Sequence, residues 1–270
     1  MKQQKIKNAS RWVDELLADG RYTFSRKEIQ RALGVSPRAT YLALHRMVKD
    51  TRLVMPKSGF YVVVDPQHRV VGTPPAHWFI HSFMEFMRTP YYVGLLSAAE
   101  IHSAAHHRPQ EFQVVVPAKV LRPRTILIKN LRIRFFSKSL FNKSETVQVK
   151  TQTGYEAVST PETTAWDLVR YYKSAGGLDN VITVLSELGE KLDSGKLLST
   201  VKRHEDPFVA RRLGWLLDRA GWQNLTPGLA KWVGNKEVSW ILLDPREKAE
   251  KPSQSKKWRI LVNTELEPEA

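Results

Sequence analysis

Arg38, His45, Arg46 and Lys49 are spaced so that a helix turning about 100° per residue sets them on one side. Ala39 and Leu42 fall among them, and no acid occurs in the run before Asp50. Cationic groups interleaved with small or apolar side chains suit the edge of a polyanion. Arg38, near the start of the run, can offer paired donors to a guanine edge, and Ala39 and Leu42 can meet thymine methyls. The opposite side collects Pro37, Thr40, Tyr41, Leu44, Met47 and Val48, the stripe expected to face a core. The Ser36 hydroxyl and the N–H groups that follow it suit a phosphate. Lys57 and Ser58 stand between two apolar runs, where they would touch backbone or minor groove. The alternatives are a small helical domain whose basic face is merely solvated, or a module that binds protein.

The elements that would hold these residues are marked by caps. Trp12, Val13, Leu16 and Leu17 share a helical face that ends at Gly20. Ser25 with Glu28 forms a capping box, Phe24 and Ile29 take the positions of a hydrophobic staple, and Gly34 stops that helix. Only Val35 intervenes before Ser36 caps a third helix with Pro37 at its first position. Strands near 52–55 and 60–64 flank Pro56-Lys57-Ser58-Gly59, and Gly59 can take the positive φ of a tight turn. Three helices and a hairpin in this order form a winged helix-turn-helix. The stretch 65–75, rich in proline and with Gly72, reads as a linker.

Charge is segregated. Residues 1–72 carry 14 Lys/Arg against 6 Asp/Glu, residues 73–150 carry 11 against 4, and residues 151–270 carry 17 of each. The whole excess of +15 therefore sits in the first 150 residues, which points to a polyanion partner for that part. There is no cysteine, hence no disulfide, thiolate metal site or cysteine nucleophile. No apolar run approaches the roughly 18 residues that would span a bilayer, and the basic N-terminus leads into an amphipathic stretch. A soluble cytoplasmic protein is expected, without a membrane partner. The C-terminal EPEA, either an engineered tail or an acidic natural end, is set aside.

Beyond the linker the pattern is mixed: a helix over 76–88, a short strand at 91–93, and a helix opened by a capping box of Ser97 and Glu100. Strands follow at 111–116, 125–129, 131–136 and 155–159. A helix capped by Thr160-Pro161 comes next, then helices at 178–190, 195–204 and 206–220, and strands at 238–243 and 258–263. The fold class is α+β, an N-terminal winged helix-turn-helix followed by a larger mixed α+β domain. Three segments are expected: the winged helix over 1–72, a basic α+β segment over 73–150, and a mostly helical, charge-neutral remainder over 151–270.

Lys119, Arg122, Arg124, Lys129, Arg132 and Arg134 form a second basic group on the strand candidates, fit for nucleic acid or an acidic partner, or for one solvated face of a sheet. His77 and His81, and His102 and His106 with His107 beside it, have a spacing that can pair imidazoles on a metal. Without a third ligand, polar contacts are the expected role, with no metal and no cofactor. No nucleophile elbow, phosphate loop, dinucleotide fingerprint, paired nucleotidyltransferase aspartates or nuclease-like Glu-x-Lys beside a strand is present, so no enzyme is expected.

Three blocks, 92-YVGLLSAAEIHSAAHHRPQEFQVVV-116, 154-GYEAVSTPETTAWDLVRYYKSAGGL-178 and 211-RRLGWLLDRAG-221, occur in order behind the winged helix. With it they resemble the AbiEi family, antitoxins and transcriptional regulators of type IV toxin–antitoxin systems, over roughly residues 8–225. The resemblance implies a bacterial autorepressor whose winged helix binds inverted repeats in its own promoter. It further implies that the C-terminal portion opposes a nucleotidyltransferase-like toxin, without requiring direct binding. Carried onto this chain, DNA binding belongs to Ser36–Lys49 and to Lys57-Ser58, and the antitoxin role to the region after about residue 90. The competing expectation is a plain winged-helix transcription factor whose C-terminal domain senses a ligand or dimerises.

Overall fold

The structure is a computed structural model that describes residues 8–104, 110–118, 124–236, 239–248 and 251–266. In chain order the first part holds α1 (Ala9–Ala18), β1 (Thr23–Ser25), α2 (Arg26–Leu33), α3 (Pro37–Lys49), β2 (Leu53–Lys57) and β3 (Phe60–Val63). The caps act as the sequence requires. Ser25 Oγ accepts from Glu28 N at 3.2 Å, Ser36 Oγ accepts from Ala39 N at 3.2 Å, and Gly34 takes the left-handed conformation at φ +63°. β1 is an addition: Phe24 enters a short strand that pairs antiparallel with β3, giving the sheet order β1-β3-β2. Trp12, Leu16, Ile29, Leu33, Leu44 and Met47 form the core of this part with Tyr61 and Val63.

β3 is buried on both faces because it is the central strand. Tyr61 and Val63 point into the helices. Phe60, Val62 and Val64 point the other way, into a second core shared with α4 (Ile80–Phe86) and a larger sheet. The linker is ordered by Asp65, whose carboxylate accepts from His68 N and meets the His68 ring at 2.7 Å, while Trp78 packs against both Tyr22 and His68.

The larger part continues with β4 (Tyr92–Val93), α5 (Leu95–Ile101), β5 (Phe112–Pro117), β6 (Thr125–Ile128), β7 (Leu131–Lys138), β8 (Thr146–Thr151), β9 (Gly154–Ser159) and α6 (Pro161–Arg170). Then come α7 (Leu178–Leu188), α8 (Ser194–His204), α9 (Pro207–Arg219), α10 (Pro227–Gly234), β10 (Ile241–Leu242), β11 (Ser253–Ser255) and β12 (Ile260–Val262). The six-stranded sheet has the order β6-β7-β5-β4-β9-β8, with β5/β7 and β4/β9 parallel and the other pairs antiparallel. One face packs on β3 and α4. The other packs on helices α5–α9 through Tyr92, Val115 and Phe136. β5 is covered on both faces, and its run is apolar apart from Gln113, whose buried amide accepts from Leu96 N and donates to Ser174 O. The fold is thus α+β, with the winged helix-turn-helix at the N-terminus.

Four details depart from the sequence reading. The helix expected over 76–88 begins with a 3-10 turn at Ala76–Trp78 before α4. Ser97 opens nothing: α5 begins at Leu95, and Ser97 lies buried within it, its hydroxyl accepting from Gln113 N at 2.9 Å. β8 and α10 join the expected elements. In the small C-terminal sheet, β12 pairs parallel with β10 and antiparallel with β11. It is pinned to α9 by Arg211, whose guanidinium donates to the carbonyls of Trp258, Ser239 and Arg259. Gly214 is needed there, since a Cβ would stand 2.1 Å from the Trp258 ring.

Candidate nucleic-acid interface

α3 presents two unlike sides. Thr40, Leu44 and Met47 are buried, while Arg38, Ala39, Leu42, His45, Arg46 and Lys49 are all exposed. Leu42 keeps 49% of its surface open although it is apolar, which leaves it available to a methyl-bearing groove. Ser36 is exposed and uses its oxygen to cap Ala39 N, so its proton remains for an acceptor outside the helix.

Tyr41 is a correction. The helical wheel sets it at the margin of the core stripe, but it is 50% exposed. Its ring lies 5.9 Å from the His45 ring and 5.9 Å from the Arg26 guanidinium, which also donates to the Tyr61 hydroxyl at 3.4 Å. Tyr41 and Arg26 thereby extend the outward basic–aromatic face to the start of α2. The only signal for this in the sequence is the marginal angle of Tyr41, because the side it takes is set by how α2 packs. Pro37 is exposed as well.

The wing is shorter than four turn residues. Pro56 and Lys57 belong to β2, Lys57 stands opposite Phe60, and the tip is Ser58-Gly59 with Gly59 at φ +88°. Lys57 and Ser58 are exposed. Gly59 O accepts from Arg26 N at 2.9 Å, which ties the tip to the start of α2.

The second basic group is modified by one carboxylate. Glu111 accepts from Arg132 at 3.2 Å through Oε1 and from Arg134 at 3.2 Å through Oε2. Arg134 also lies over the Phe136 ring at 5.1 Å. With exposed Arg124, these residues line an open groove of about 640 Å³ against Tyr171. Lys129 is exposed in the β6–β7 turn, its stem beside Gly72. Lys119 and Arg122 lie outside the described residues.

The histidines are dispersed. His77 Nδ1 meets buried Glu156 at 2.6 Å, His81 meets the Tyr91 hydroxyl at 3.3 Å, and His102 Nε2 meets Ser159 O at 2.7 Å. His106 and His107 lie outside the described residues. Among the described residues, no three His, Asp or Glu groups are placed to hold a metal.

A buried ionic network joins the sheet to α6. Lys138 Nζ donates to Asp167 at 2.5 Å and to the Tyr92 hydroxyl at 3.1 Å, and Tyr92 donates to Asp167 at 2.7 Å. Burial pushes the Lys138 ammonium below its ordinary range, against the pull of Asp167, and pushes the Tyr92 phenol well up. These groups satisfy one another, which suits them to hold β4, β7 and α6 together.

A winged helix-turn-helix with a basic outward helix, joined through a common core to a larger α+β domain, defines the class of this protein. Two models of one family match it: the model described as "Transcriptional regulator, AbiEi antitoxin" over residues 13–64, and the AbiEi antitoxin C-terminal domain over residues 92–219. The chain belongs to the AbiEi antitoxin family. A crystal structure of the RV2827C protein from Mycobacterium tuberculosis has the same fold, with a TM-score of 0.69 at 14% identity over 93% of this chain and 90% of that one. No curated protein matches the sequence. No described helix is long and apolar enough to cross a membrane.

Proposed function

We propose that this protein is a DNA-binding autorepressor and an antitoxin, with the winged helix reading inverted repeats in its own promoter and the C-terminal domain counteracting a nucleotidyltransferase-like toxin. The observation that carries the DNA reading is the exposed face of α3: Arg38, His45, Arg46 and Lys49 point outward with no acid among them, beside the exposed wing residues Lys57 and Ser58. Phosphate-directed cations supply affinity, and Arg38 at the helix start supplies base discrimination. Membership in the AbiEi family supports the regulator and antitoxin roles together.

Arg124, Lys129, Arg132 and Arg134 provide a second surface along which a bent operator's backbone would lie. Because Glu111 engages two of these arginines, it contributes less than the residue count suggests. Reversing Arg132 and Arg134 to Glu should weaken operator binding and reduce its salt slope; unchanged values would remove this surface from the account.

A salt-dependent gel shift on the protein's own promoter tests the first role. Co-expression with the toxin gene adjacent to it tests the second. The chain should be kept whole, with Arg38 and Arg46 changed to Ala to disable DNA binding, because a cut after residue 72 divides the core shared by β3 and α4. Failure of this full-length variant to restore growth would leave a regulator whose C-terminal domain senses a ligand or dimerises.

A further inference from the structure

At the far end of β7, Lys138, Ser139 and Leu140 meet Trp166, Arg170 and His204 around a cavity of about 20 Å³. That is more than the ~10–15 Å³ required for one water-sized sphere, so the space holds a water or a small ion. The lining is one-sided in its chemistry. Trp166 is fully buried and His204 is 4% exposed, yet neither Trp166 Nε1 nor His204 Nε2 has a hydrogen-bond partner within the protein. An indole N–H can only donate, and a buried donor without an acceptor costs about 1–3 kcal/mol. The two rings stack at 5.2 Å with 15° between their planes, which fixes their nitrogen edges. Lys138 gives protons to Asp167 and Tyr92 and retains a third.

The surrounding field is positive. Burial first, and then Lys138, Arg170, Arg203 and Lys143, hold the His204 imidazole down to about 3. The carboxylates nearby are engaged elsewhere: Asp167 by Lys138 and Tyr92, Asp206 by Arg170 and the start of α9, and Glu145 by Arg203. A water molecule would bring two protons, for which the neutral His204 Nε2 offers one acceptor, whereas Trp166, Lys138 and Arg170 contribute donors and His204 adds another to an anion in its Nε2–H tautomer.

We propose that this cavity is a binding site for a monoatomic halide, chloride under ordinary salt conditions, held by Trp166 Nε1–H and the Lys138 ammonium and joining β7, α6 and α8. Such an ion binds the folded chain and not the unfolded one, so it raises the melting temperature by mass action.

The test uses the full chain without DNA. Crystals soaked in bromide should show an anomalous peak within hydrogen-bond distance of Trp166 Nε1. Melting temperature should rise with chloride to a plateau, relative to gluconate at equal ionic strength. Trp166→Phe keeps the ring stack and removes the donor, and should abolish that rise. A cavity filled by water with no anomalous signal would overturn the proposal, as would equal melting in chloride and gluconate, or a rise that persists in Trp166→Phe. Should Trp166→Phe fail to fold, the bromide experiment on the unaltered chain decides alone.

Discussion

Phe60 is the residue at which the coupling between the winged helix and the larger domain can be measured. It lies on β3, 3% exposed, with its ring centroid 5.3 Å from Phe83 and 5.2 Å from Phe86 of α4. Its neighbours Val62 and Val64 enter the same core as Ile80, Met84, Val93, Val114 and Val158. Truncating a buried phenylalanine to alanine costs about 3–5 kcal/mol. Phe86 is 38% exposed, so one wall of the resulting hole can relax toward solvent, which places Phe60→Ala near the lower end, about 3 kcal/mol. The assay is hydrogen exchange read by mass spectrometry at low urea, comparing peptides from α3 with peptides from β5. If the shared core makes one cooperative unit, protection of both should fall by the same free energy. Loss of protection in α3 with β5 unchanged would refute the reasoning, because it would mean that the wing opens without the sheet behind it. A total cost under 1 kcal/mol would refute it equally.

Other outcomes follow from the same geometry. Arg38→Ala should relax specificity at one operator position at a cost of ~1–3 kcal/mol, whereas Lys57→Ala should weaken all sequences alike and flatten the salt slope by about one. Competition gel shifts across mutated operators check both, and equal effects would mean base and phosphate contacts are misassigned. Lys138→Met leaves the fully buried Asp167 without its counter-ion and should cost ~3–5 kcal/mol in urea unfolding. The double change Lys138→Met with Asp167→Leu should cost clearly less than the sum of the two single changes, and simple additivity would contradict the pairing. His204 is held neutral, so it contributes stability above its ordinary value of 6.5 that is lost as pH falls from 6.5 toward about 3, where the unfolded chain takes up the proton first. In halide-free buffer His204→Gln should flatten that acid limb by up to ~1.4 kcal/mol per pH unit, and an unchanged slope would remove His204 from the account.

Most of the N-terminal reading depends on contacts within four residues. Ser25 with Glu28, Gly34, and Ser36 with Pro37 set the helix boundaries because each cap bonds its own first or last turn. The angular division of α3 is equally local, and it separates Arg38, Arg46 and Lys49 from Leu44 and Met47. β5 was legible for the complementary reason: a strand covered on both faces is mostly apolar, here with Gln113 as the one polar side chain before Val114, Val115 and Val116. Charge segregation placed the whole basic excess in the first 150 residues, since summation needs no fold. Ser97 shows where local rules mislead. A serine followed three residues later by a glutamate satisfies the capping pattern, but its hydroxyl is claimed by Gln113 N on β5.

The sequence by itself determined the helices of the N-terminal part and their ends, the basic face of α3 and the family, all of which depend on short-range bonding, residue type or pattern. Only the tertiary structure decided that Glu111 would draw in Arg132 and Arg134, that Lys138 on a nominally basic strand would be buried against Asp167, and that Tyr41 would turn outward over Arg26. It also decided that β3 would serve two cores at once. The physical reason is common to all four. Each depends on which surface arrives from a distant part of the chain, and a side chain with an amphipathic or charged character takes the environment that arrives.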